Sequence, residues 1–118
     1  MIGNMNMKYF CTEEQRKASG STGYFEFQKG RYKNKCWLSD SLNLRDETFD
    51  KLGLELLFIQ AVPKFDYMGF TKVKKPQWKK IKQMAHAAGG EVEDAIAELT
   101  PWAEECFMEE TMFTVCGM

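Results

Sequence analysis

Apolar and polar side chains alternate with period two in Tyr24-Phe25-Glu26-Phe27-Gln28, which predicts a strand with Phe25 and Phe27 on one sheet face. A short opening strand is expected around Met7–Cys11, followed by a polar loop over 12–23 that ends in turn formers. Lys29-Gly30-Arg31 turns the chain, and Lys35–Ser39 is expected to return as the second arm of a hairpin. Asn43 with Asp46 resembles a helix start, Phe49 and Leu52 share a face, and Gly53 suits the stop. Leu54–Ile59 is apolar at nearly every position. A helix continuing from Asp46 competes for this run, but Gly53 favours a strand covered on both faces. Pro63 ends it, and Tyr67–Val73 is expected to pair with it through the Pro63–Asp66 turn.

The second half has a helical period. After Pro76, the residues Trp78, Ile81, Met84/Ala85 and Ala88 fall on one face, and Gly89-Gly90 closes the segment. Val92, Ala95/Ile96, Leu99, Trp102/Ala103 and Cys106/Phe107 form a second stripe. It crosses Thr100-Pro101, where a new, nearly collinear helix is expected to begin with Thr100 as N-cap. Thr111–Cys116, β-branched and apolar, predicts a last strand. The fold class is α+β: an antiparallel or mixed sheet of about five strands, with two to three helices packed mainly on one face.

At 118 residues the chain is expected to form a single globular domain, 1–118, with residues 1–6 flexible. Aromatics make up 14% of it, enough for a core of large side chains. The densest apolar run, Leu54–Val62, is interrupted by Glu55 and Gln60 and is well short of the ~20 residues of a membrane span. No basic segment followed by an apolar one opens the sequence, so no secretory leader is expected. The expectation is a cytoplasmic protein without a membrane partner, with Cys11, Cys36, Cys106 and Cys116 reduced.

Charge changes the picture more than composition does. The formal net charge is −1. Yet residues 64–82 carry seven lysines against Asp66 alone, while residues 83–118 carry eight acids and no Lys or Arg. Such a division bears on surface potential and partners rather than on fold. If the basic and acidic helices lie side by side, they neutralise each other.

Chemistry-bearing patterns are sparse. The cysteines lack the close pair spacing of zinc ligands, and His86 is the only histidine. It falls among lysines on an expected solvent face with no acid three or four residues away, so no activated nucleophile is formed. Gly89-Gly90 precedes an acidic turn, which opposes phosphate binding, and Gly20 and Gly23 lie outside any nucleotide fingerprint. No catalytic residues, metal or cofactor are expected.

Two binding readings remain. In the favoured one, a non-enzymatic protein-binding domain, of inhibitor or immunity type, presents Glu91, Asp94, Glu98, Trp102, Glu104, Glu105, Met108 and Glu109 to a basic protein. In the alternative, Lys72, Lys74, Lys75, Lys79, Lys80 and Lys82 bind nucleic acid, with Phe70 interleaved and Trp78 on the apolar helix face. An enzyme or small-ligand domain whose site the sequence conceals stands third.

Overall fold

The computed structural model describes residues 7–118; the expected flexibility of 1–6 falls outside them. Five strands are present: β1 (Phe10–Thr12), β2 (Tyr24–Lys29), β3 (Leu42–Arg45), β4 (Phe70–Lys74) and β5 (Met112–Cys116). They form one fully antiparallel sheet in the order β1-β3-β2-β5-β4. The helices are α1 (Glu13–Ser19), α2 (Asp46–Lys51), α3 (Leu54–Ala61), α4 (Lys75–Ala88) and α5 (Gly90–Phe107). The expected α+β architecture is therefore present, with helices α2 to α5 on one face and α1 on the other.

The two sheet faces differ in chemistry. Phe25, Phe27, Leu42, Leu44, Phe113 and Val115 point into an apolar core closed by Phe49, Phe58, Ile81, Ile96 and Leu99. Phe49 stacks on Phe25 with ring centroids 4.0 Å apart and also meets Phe58, Phe65 and Tyr67. On the opposite face Glu26, Gln28, Asn43 and Thr114 are equally buried, beneath α1 and the irregular segment 30–41.

Four sequence expectations are corrected. The polar loop 12–23 contains α1, because Thr12 and Gln15 cap its start reciprocally: the Gln15 N–H donates to Thr12 Oγ1 (3.2 Å), and the Thr12 N–H to Gln15 Oε1 (2.8 Å). The hairpin partner of β2 is Leu42–Arg45, not Lys35–Ser39, and the helix begins only at Asp46. Leu54–Ile59 lies in a helix rather than a strand. Gly53, at φ 67°, separates α2 from α3, and Leu54, Phe58 and Ala61 bury one helical face. Consequently β4 starts at Phe70 and pairs with β5 instead.

The fourth correction concerns Pro101, which lies inside one continuous helix, α5. Pro101 removes the N–H that would serve the Ala97 carbonyl. Both residues are exposed, which leaves that side of the helix open to water. Gly89 and Gly90, both at positive φ, make the connection between α4 and α5 short enough for the two helices to lie side by side.

Replacing Phe49 by Ala should lower the unfolding free energy by about 3–5 kcal/mol, since its ring is fully buried among aromatic neighbours. Chemical denaturation measures this, and a loss below about 1 kcal/mol would contradict the packing described.

Candidate functional site

A surface depression of about 1170 Å³ is an open groove between α4 and the C-terminal half of α5. Helical spacing builds its banks. Lys75, Lys79 and Lys82 recur along α4, while Pro101, Glu104, Glu105 and Met108 recur along α5. Half-buried Phe107 adds apolar surface, and the buried Trp78 lies under the groove's floor. A second depression of about 410 Å³ lies beyond Met108, with Asp40, Glu105, Glu109, Glu110, Lys29 and Lys33 in its wall. Met108 borders both and is 82% exposed.

The acidic residues named from the sequence do not form one surface. Asp94 and Met108 are 14 residues apart on α5, about 21 Å along the axis. Glu98 serves the fold: its carboxylate accepts the main-chain N–H groups of Lys8 (2.6 Å), Tyr9 (2.9 Å) and Phe10 (3.0 Å), which ties the entry of β1 to α5. Glu91 accepts from the Tyr9 hydroxyl (3.3 Å), and Asp94 is exposed. Trp102 packs its ring edge-on to Phe27 and Phe113 and donates its Nε1–H to the Asp40 carbonyl (2.8 Å). Glu98 and Trp102 thus act inside the structure.

At the other end of α5, Glu104 pairs with Lys82 (2.8 Å) and Glu105 with Lys29. The Lys29 ammonium holds the Glu105 carboxyl below its ordinary pKa. His86 is exposed, as expected, and meets Glu93, seven residues on, across the turn between the helices. Among the described residues, Glu109, Glu110 and Asp40 have no cation within 4.0 Å. The basic stripe is divided too. Lys75, Lys79 and Lys82 line the groove, whereas Lys72 and Lys74 lie on the outer face of edge strand β4 with Phe70. Lys80 is exposed away from the groove, and Trp78 is buried in the core.

Sequence reasoning missed the segment 30–41. It has no regular secondary structure, and Asn34 (φ 64°) and Trp37 (φ 66°) adopt left-handed backbone that non-glycine residues seldom take. Side chains from the polar sheet face hold it in place. Glu26 accepts from the Leu38 N–H (2.8 Å), the Ser41 hydroxyl (2.7 Å) and Gln28 Nε2 (3.0 Å). Gln28 also donates to the Lys35 carbonyl (2.9 Å), and Thr114 donates to that of Gly30 (2.7 Å). The Arg16 guanidinium, held by Glu13 at 2.7 Å, lies 4.0 Å from the Trp37 ring centroid. The one sequence signal was the period of β2, which places Glu26 and Gln28 on the face away from the core.

Beneath this segment is a cavity of about 130 Å³ with Cys36, Cys116, Tyr24 and Glu26 in its wall. Burial, and then the neighbouring Glu26, push the Cys116 thiol up to about 12. Cys36 is exposed. Among the described residues no three or more His, Cys, Asp or Glu side chains gather into a metal-holding group. No helix among them is long and apolar enough to cross a membrane. Compared with family models, with curated proteins and with solved structures, the chain finds no match.

Three outcomes are expected. Glu26→Ala leaves buried donors without an acceptor and should lower stability by about 2–3 kcal/mol, with faster amide exchange over residues 31–40 than over α5. Unchanged exchange in that segment would show that Glu26 does not hold it. For the thiols, iodoacetamide at pH 8 should modify Cys36 in the native protein and spare Cys116. Because folding raises the Cys116 pKa from 9.0 to about 12, its contribution to stability is complete below pH 9 and is lost as pH climbs towards 12. Denaturation midpoints should fall over that interval, and less steeply in Cys116→Ala.

Proposed function

We propose that this α+β domain is a non-enzymatic protein-binding module whose contact surface is the C-terminal end of α5. Met108 is the apolar anchor, and Glu104, Glu105, Glu109 and Glu110 surround it. The partner is a basic protein with an apolar pocket beside its cations. An inhibitor or immunity-type role, in which the acidic end covers a cationic functional site, follows from that chemistry.

The observation that carries the reading is a large apolar side chain held almost fully in water at a helix end crowded with carboxylates. A helix C-terminus carries partial negative charge, so acids there raise the energy of the free protein, and α5 has no basic residue in its last turn. Glu91 and Glu93 at its start have the opposite relation to the dipole and need no functional explanation. Local stability therefore does not account for Glu109 and Glu110, whereas a cationic partner would relieve their repulsion and be steered by it. Met108 has a flexible thioether suited to an irregular pocket, and the adjoining groove extends the apolar area an interface needs.

Wild-type protein immobilised in extract of its own source should enrich a basic protein over both Met108→Ala and Glu109→Lys/Glu110→Lys, by quantitative mass spectrometry. The charge reversal should slow association at low salt, and Met108→Ala should speed dissociation about tenfold or more. The same charge reversal should raise thermal stability slightly, by about 0.5 kcal/mol, as the helix end is relieved. Equal enrichment by wild type and both variants would overturn the assignment.

A further inference from the structure

Two stretches of the chain without any acid, residues 27–39 and 67–90, are far apart in sequence and meet in the fold. The contact is an aromatic stack: the Tyr32 and Phe70 rings lie 4.0 Å apart and 22° from parallel. Phe70, Lys72 and Lys74 are the exposed, outward members of β4, so they form a row at strand spacing along the sheet edge. Arg31 and Lys35 are exposed on the neighbouring segment. Among the described residues, none of Arg31, Lys35, Lys72 and Lys74 has a carboxylate within 4.0 Å. By contrast, Lys29 pairs with Glu105, and the Lys33 ammonium donates to the carbonyls of Lys29 and Arg31. Lys33 keeps its charge but braces its own segment, so its ammonium is less free to reach a phosphate.

We propose that this face, with Phe70 and Tyr32 as its stacking platform and Arg31, Lys35, Lys72 and Lys74 as its phosphate contacts, binds single-stranded nucleic acid. Phe70 is 56% exposed although one side of its ring is covered by Tyr32, so the ring still offers surface for an unpaired base. In a duplex the bases are already stacked on one another, and the aromatic pair gains nothing from them. A phosphate chain complements four unpaired cations. The platform is prepared before binding, because Glu26, Gln28 and Thr114 fix the segment that carries Tyr32, Arg31 and Lys35. The boundary of the face is also defined: the Glu110 carboxylate packs against Gly30, where the cationic face gives way to the acidic end of α5. This surface is distinct from the one around Met108, so each stands or falls alone.

The test is fluorescence anisotropy with labelled twelve-nucleotide oligo-U and oligo-dT, titrated with the full chain between 20 and 200 mM salt. For four phosphate contacts, the slope of log affinity against log salt should be about −3. Lys72→Ala/Lys74→Ala should flatten it by about 1.4. Phe70→Ala should weaken binding about ten- to hundredfold while leaving the slope unchanged, because the ring carries no charge. All three side chains are exposed, and a denaturation midpoint confirms that each variant is folded. Met108→Ala should bind as wild type does, which separates this face from the protein-binding end. The proposal is overturned by no binding at 20 mM salt or by equal affinity for a twelve-base-pair duplex. It is equally overturned by an unchanged affinity of Phe70→Ala, or by binding to anionic phosphatidylserine vesicles in place of the oligonucleotides.

Discussion

The carboxylate of Glu26 is the interaction on which the layer over the polar sheet face depends. A buried carboxylate is tolerated only when its lone pairs are occupied, and here three donors occupy them, two from the segment that lies over it. In return, twelve residues without helix or strand acquire a defined path across the sheet. The opposite face needs no such device, because Phe25 and Phe27 bury apolar area against Phe49, Phe58 and the long helices. One sheet thus holds two layers by different physics: non-directional burial on one side, directional hydrogen bonding on the other.

That division extends to the surface. Helices α4 and α5 lie side by side, and a basic helix beside an acidic one is expected to neutralise it. Neutralisation is partial. Lys82 meets Glu104 and His86 meets Glu93, but Glu109 and Glu110, past the end of α5, have no cation within 4.0 Å among the described residues. Lys72 and Lys74 likewise precede α4 and belong to the sheet edge. Left without an oppositely charged partner within 4.0 Å, among the described residues, are Glu109 and Glu110 beside Met108 and Lys72 and Lys74 beside Phe70.

How far the chain could be read in advance varied with the range of the forces involved. The stripes of α4 and α5 and the period of β2 were legible because each element carries its own pattern of burial. Leu54–Ile59 was not, since a run of apolar residues has no period until a neighbour selects the face; packing of Leu54, Phe58 and Ala61 selected a helix. Pro101 misled in the same way. Its lost hydrogen bond is tolerable only where water reaches the carbonyl, and exposure is a tertiary property. Of the residues first assigned to an acidic binding surface, Glu98 and Trp102 have partners in β1 and at Asp40, at sequence separations of 88 and 62 for Phe10 and Asp40. No local pattern announces such contacts.

The amino-acid sequence by itself determined the class of fold, most of the strands, the two long helices and the unequal distribution of charge, because hydrophobic periodicity and charge count are local properties. Only the tertiary structure decided which charges remain free, that Tyr32 stacks on Phe70, and that Glu26 lies beneath a loop instead of facing solvent. Those outcomes depend on distances between residues remote along the chain, and only the assembled packing specifies such distances.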